Sequence, residues 1–159
     1  MCEYWDKERQ RWVLVDAQLD DLQQVKLRIA FNPLDVPREA FVVAGHAWQM
    51  CRRGEADPDT FGIFDLRGLW FVWGNLVRDI AALKVELLPW DTWRLTQGQD
   101  EHLSGEGWRS LDQMAAWSAL PHSDWERLRE HYEHDPRWKV PPRIHRYTEF
   151  GLEEVALVV

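Results

Sequence analysis

The chain has 159 residues, 45% hydrophobic and 13% aromatic, enough for one domain or a domain and a half whose core needs no staple. Lys plus Arg number 19 against 27 Asp plus Glu, and the formal charge of -8 is shared between both halves without a basic block. That pattern excludes a phosphate-tracking nucleic-acid binder, and 11 Trp exclude a disordered chain. Two cysteines, Cys2 and Cys51, make neither a disulfide framework nor a zinc site, and they suit a reducing compartment. No signal peptide opens the chain. The most apolar run, Leu69 to Leu83, is shorter than the ~18 residues of a membrane span and carries Arg78 and Asp79. The expectation is a cytoplasmic chain with no membrane or nucleic-acid partner.

In chain order, Glu3-Tyr4-Trp5 and Arg11-Trp12-Val13-Leu14-Val15 flank the charged stretch Asp6 to Gln10, which predicts a β-hairpin. Val25-Lys26-Leu27-Arg28-Ile29 alternates strictly and predicts a third strand. The prolines Pro33 and Pro37 end the β pattern, because neither can donate to a ladder. The periodicity then turns helical. A helix is expected from Pro37 through Cys51, stopped by Gly54, and a short turn from Asp57-Pro58 to Gly62. Leu69 to Leu83 is apolar nearly all round and predicts a central helix, with Pro89 ending the region after it. Gln97 to Gly107 reads as a polar loop. Trp108, Leu111, Ala115 and Ser118 lie on one face of a further helix. Ser123 with Glu126 forms a capping-box pattern ahead of Trp125, Leu128 and Tyr132. Pro141-Pro142 closes the helical part, and Glu154 to Val159 is either a last strand or a loose tail. The fold class is therefore α+β: residues 1–32 form a small antiparallel β element and residues 33–159 a mainly helical domain, with at least four helices.

The stretch Glu3-Tyr4-Trp5 … Arg11-Trp12-Val13-Leu14-Val15-Asp16 resembles the end of the transglutaminase-like core, a papain-like cysteine fold. In that family a His-Trp-x-x-Glu strand leads into a hairpin whose return strand ends in an Asp that orients the catalytic His. Phe41 to Trp48, Phe61 to Asp65, Gly74 to Leu83 and Leu88 to Asp91 also resemble the helical extension of bacterial transglutaminase-like proteins. The resemblance implies a Cys-His-Asp amide hydrolase or acyltransferase, with Asp16 as the triad member this chain carries. The nucleophilic Cys and the His fall before Glu3 in the family, so neither is expected here. An orienting carboxylate without its imidazole does no chemistry. The chain then reads as the catalytically inactive C-terminal portion of such a protein, or as a non-catalytic helical interaction module that takes a protein or peptide partner. The other reading of Asp16 is a strand end that caps the turn before Leu19. Self-association through the N-terminal β edge is expected if nothing covers it.

Other candidates read mostly as structure. His46 and Cys51 are five positions apart, about 140° around a helix, so they diverge. His131 and His134 are at i, i+3 and able to share a metal with His122, but a solvated helix face is the alternative reading. Asp57 and Asp59 read as a helix start rather than calcium ligands. No cofactor and no metal is expected. Asn75, Arg78 and Asp79 form a polar stripe on the apolar helix. A buried Arg78 needs a carboxylate, from Asp16, Asp35, Asp65 or Asp91, with Asp35 and Asp91 favoured by their neighbouring prolines. The alternative role for Arg78 is an anion-binding group in a pocket.

Overall fold

A computed structural model of the chain describes residues 1–63, 65–88, 90–97, 103–119 and 123–157. Pro89, residues 98–102 of the expected loop, His122 and the last two residues of the expected tail lie outside that set. The architecture is α+β, with six α-helices and three separate two-stranded antiparallel sheets among the described residues. The chain divides into two compact units, Met1–Val43 and Ala44–Val159.

In the first unit, β1 (Cys2–Asp6) pairs with β2 (Arg11–Val15), setting Cys2 opposite Val15 and Trp5 opposite Trp12. Asp6 fixes the turn by accepting from the backbone N–H groups of Glu8 and Arg9, at 2.9 and 3.0 Å. Beyond β2 the expected third strand is instead a helix, α1 (Asp21–Leu27). Its cause is local. Asp20 accepts from the Gln23 N–H at 2.7 Å, and Gln23 Oε1 accepts from the Asp20 N–H at 3.2 Å, a reciprocal capping box. Arg28, with φ +54°, then ends the helix in the left-handed region. The alternation at Val25, Leu27 and Ile29 had no neighbouring strand to satisfy, and α1 carries no buried residue at all. The segment after it returns to the end of β2, where Asp16 N–H donates to Pro33 O and Val36 N–H to Leu14 O, both at 2.8 Å.

In the second unit, helix α2 (Ala44–Arg52) begins later than the expected Pro37. At the end of the first unit a single 3-10 turn, Arg38–Ala40, stands there instead, and Phe41 is extended. The run Phe41-Val42-Val43 is bulky and β-branched and holds back helix until Ala44. Asp57 caps a second 3-10 turn, Pro58–Thr60, and two short strands follow, β3 (Gly62–Ile63) and β4 (Leu66–Arg67). The central helix α3 (Leu69–Ala81) buries Val72, Trp73, Leu76, Val77 and Ile80. A short α4 (Arg94–Gln97) crosses it where Gly74 stands. A Cβ at Gly74 would lie 3.2 Å from Thr96 O, so the close approach depends on glycine.

Helix α5 (Gly105–Trp117) is capped by Ser104. Helix α6 (Trp125–His134) is capped by Asp124, which accepts from Arg127 N–H at 3.1 Å. The expected cap, Ser123, is therefore one residue early. A carboxylate at the next position is the stronger acceptor for the helix N-terminus. The chain then forms a hairpin, β5 (Arg143–Thr148) with β6 (Gly151–Ala156), Tyr147 standing opposite Leu152. Only the end of this hairpin was expected from Glu154 onward.

The core of this unit joins Trp48 of α2, the buried face of α3, Trp93, Leu111 and Met114 of α5, Leu128 and Tyr132 of α6, Trp138 and Ile144. Two tryptophans span its polar boundary. Trp48 and Trp108 stack with centroids 5.4 Å apart, and Trp48 Nε1–H donates to Asp112 Oδ1 at 2.8 Å. Arg52 grips the same Asp112 through two bonds of 2.9 and 3.0 Å and lies over the Trp108 ring. No helix among the described residues is long and apolar enough to cross a membrane.

Candidate functional site

Asp16 closes β2, and its Oδ1 accepts from Gln18 N–H at 3.1 Å, shaping the turn that follows. His46 and Cys51 share α2, His46 exposed and Cys51 half-buried. Burial raises the Cys51 thiol above its ordinary pKa and Asp57 adds to the rise, which disfavours the reactive thiolate. Asp57 accepts from Asp59 N–H at 3.0 Å, as a turn cap does.

His131 and His134 point their ring nitrogens at different partners. His134 Nδ1 is 2.7 Å from Glu130 O, and His131 Nε2 is 2.7 Å from Ser110 Oγ. No group of three or more His, Cys, Asp or Glu among the described residues is arranged to hold a metal. The Ser110–His131 pair was not evident in the sequence, because its members are 21 positions apart on two helices. It has nucleophile-and-base spacing, but Ser110 is buried and Trp138 Nε1–H donates to its oxygen at 2.9 Å. The Ser110 oxygen can take a second bond from Nε2–H, or its O–H can donate to a neutral Nε2, and either way the contact is closed to a third partner. Burial lowers the His131 pKa. The trio is a polar strut between α5, α6 and Trp138, with Ser110 and Trp138 buried and His131 half-buried.

Arg78 is the residue around which a site is built. It is half-buried on α3, and neither favoured carboxylate holds it. Asp35 lies in the first unit and pairs with Arg9 and Arg11. Asp91 is completely buried, but its carboxylate is gripped by Arg146, with Nε at 2.8 Å and Nη2 at 2.7 Å, and it also accepts from Leu88 N–H at 2.8 Å. Burial works to raise the Asp91 pKa, and these bonds outweigh it, so the group is held below the usual carboxylate range. Arg78 donates instead to neutral oxygens, from Nε to the Asp91 backbone carbonyl at 3.2 Å and from Nη1 to Asn75 Oδ1 at 2.9 Å. Asn75 is itself fixed by donating to Phe71 O at 2.8 Å. The expectation of a carboxylate partner for Arg78 is thus corrected. The competing cation, Arg146, arrives on β5, whose Thr92–His145 bridge sets it beside Asp91. No local pattern in the sequence signals that register.

Burial lowers the Arg78 pKa, while Asp79 and Asp91 work to raise it, and a guanidinium remains charged regardless. Asp79 is open to solvent at its surface, yet the protein crowded around it raises its carboxyl to about 6 against the pull of Arg78. Arg78 lines a cleft of about 270 Å³ whose walls include Trp70, Phe71, Trp90, Tyr147 and Leu152. Chemically the cleft offers one fixed cation among four aromatic rings. A larger cleft of about 430 Å³ lies beside the start of α5, between Trp93, Leu103, Gly107 and Trp138. Its Arg137 is already engaged by Asp135 and Glu106.

Comparison with protein-family models, with curated proteins and with solved structures gives no match for this chain.

Proposed function

We propose that this chain is a non-catalytic recognition module, the C-terminal portion of a transglutaminase-like protein, and that the Arg78 cleft is its ligand site. One observation carries the reading of the cleft. A half-buried guanidinium is directed at neutral oxygens while the nearest buried carboxylate serves a different arginine. A guanidinium with no carboxylate bonded to it, set in an aromatic cleft, costs stability and is characteristic of binding sites. The resemblance of residues 3–16 and of the later stretches supports the relation to transglutaminase-like proteins. The half-buried Cys51, whose thiolate is disfavoured, supports the absence of turnover.

The test has two arms. A panel of small aromatic compounds titrated into the ¹⁵N-labelled chain is expected to shift the indole N–H signals of Trp70 and Trp90 saturably. No amidase or transamidase turnover is expected in the same preparation. Labelling of Cys51 by a substrate-like electrophile, abolished in His46→Ala, overturns the non-catalytic reading.

A second reading, a protein-interaction module, draws on the exposed Trp5–Trp12 pair, whose rings meet edge to face at 5.7 Å. Its occupant is a second copy of the chain pairing along β1, since a two-stranded sheet leaves strand edges to fill. Sedimentation equilibrium is expected to show concentration-dependent dimers that Tyr4→Pro dissolves. A monomer at all concentrations rejects it.

A further inference from the structure

We infer that the ligand of the Arg78 cleft is a small aromatic monocarboxylate, an inference that rests on the reading of this cleft as a ligand site. The guanidinium has five N–H donors, and the structure uses two of them, on Nε and Nη1. The remaining three lie on Nη1 and Nη2, the edge with which arginine grips a carboxylate through two parallel bonds. Among the described residues no protein acceptor meets Nη2.

The charge balance selects a monoanion. Arg146 and Asp91 neutralise each other, and Asp79 beside Arg78 on α3 opposes every added negative charge, so the anion with the fewest is favoured. A dianionic phosphate therefore fits less well than a carboxylate. The body of the ligand follows from the walls. Trp70, Phe71, Trp90 and Tyr147 present ring surface, and Leu152, the cross-strand neighbour of Tyr147, extends the wall that the hairpin supplies. A volume of about 270 Å³ equals that of roughly nine waters, room for one ring and a short acid arm. The orientation is fixed by second contacts. Asn75 and the Asp91 carbonyl hold the guanidinium plane, so the acid group is met by a preset fork and not by a swinging side chain.

Phenylacetate, phenylacetamide and phenethylammonium are the probes, read by the Trp70 and Trp90 indole signals of the full chain. Phenylacetate is expected to bind about tenfold or more tightly than the amide, and the ammonium compound weakest of all. Arg78→Gln is expected to erase the preference for acid over amide, and Arg78→Lys to restore only part of it, because an ammonium lacks the planar fork. Since Arg78 variants also remove two internal bonds, Tyr147→Ala provides an independent check. Tyr147 is 64% exposed, so its loss leaves the fold intact and should weaken phenylacetate about threefold or more. Equal binding of acid and amide overturns the carboxylate inference while leaving the cleft a ligand site. No saturable shift with any of the three probes removes both. Shifts that ignore Tyr147→Ala and Arg78→Gln alike place binding elsewhere and also overturn it.

Discussion

The two units solve the same chemical problem in opposite ways. Each holds an Asp between arginines or beside one, and each holds a tryptophan pair. In Met1–Val43, Asp35 joins Arg9 and Arg11 at the surface, and Trp5 and Trp12 are both exposed. In Ala44–Val159, Asp91 is buried under Arg146, and Trp48 is buried against Trp108. Identical residue types thus carry unequal weight, because water screens the first set and is excluded from the second. The first unit buries Val13, Leu14, Val15 and Val36 beside its turns and caps, and the second depends on a much larger interior.

Substitutions ranked by expected effect sharpen that contrast. Arg146→Met strands a carboxylate with no exposure and should cost about 3 kcal/mol in urea denaturation. Arg78→Met should cost less, about 2 kcal/mol, since it orphans the Asn75 amide oxygen and a backbone carbonyl rather than a charge. Arg129→Met, on the exposed side of α6, should change stability by less than about 0.5 kcal/mol. If the Arg146 and Arg129 variants melt together, burial does not separate the two kinds of arginine.

Acid provides a subtler probe confined to the second unit. His131 has a lowered pKa, so its contribution is present above the unfolded value of 6.5 and is lost as pH falls through the folded value. Asp79, raised from 3.8 to about 6, acts in the opposite sense. Its contribution is full below 3.8 and is lost as pH rises through about 6. The two partly cancel in mild acid. Asp79→Asn should therefore steepen the loss of stability on acidification below pH 6.5, and His131→Gln should flatten it, both read from denaturation midpoints against pH. The first unit supplies the matching surface pair. Trp5→Ala should cost about 1 kcal/mol for its lost edge-to-face partner, and Asp35→Asn should leave the midpoint nearly unmoved.

Where sequence signals are local, they can be read directly. The hairpin of β1 and β2, the start of α3 at Leu69 and the one-sided apolar spacing of α5 all follow from patterns within a few turns. The capping box Asp20–Gln23 was equally local and outweighed a period-two alternation that looked like a strand. Arg78 was legible as half-buried but not in its partners. Its intended carboxylate was claimed by an arginine 55 positions further on, and only the pairing of Thr92 with His145 sets that arrangement. Strand β5 hid for a related reason. Arg143, His145 and Arg146 dilute its apolar alternation, and its partner β6 carries two adjacent glutamates.

The Asp91–Arg146 pair also orders events in time. During synthesis Asp91 emerges long before its cation, at about 5–20 residues per second a delay of several seconds. Through that interval the carboxylate has no Arg146 to pair with, and burying it as an ion would strand a charge. Strand β5 carries Arg146 and Tyr147 together, so the cation that neutralises Asp91 and a wall of the cleft arrive on the same hairpin. Tyr147 and Leu152, made long after Trp70 and Phe71, are therefore the residues that complete the cleft.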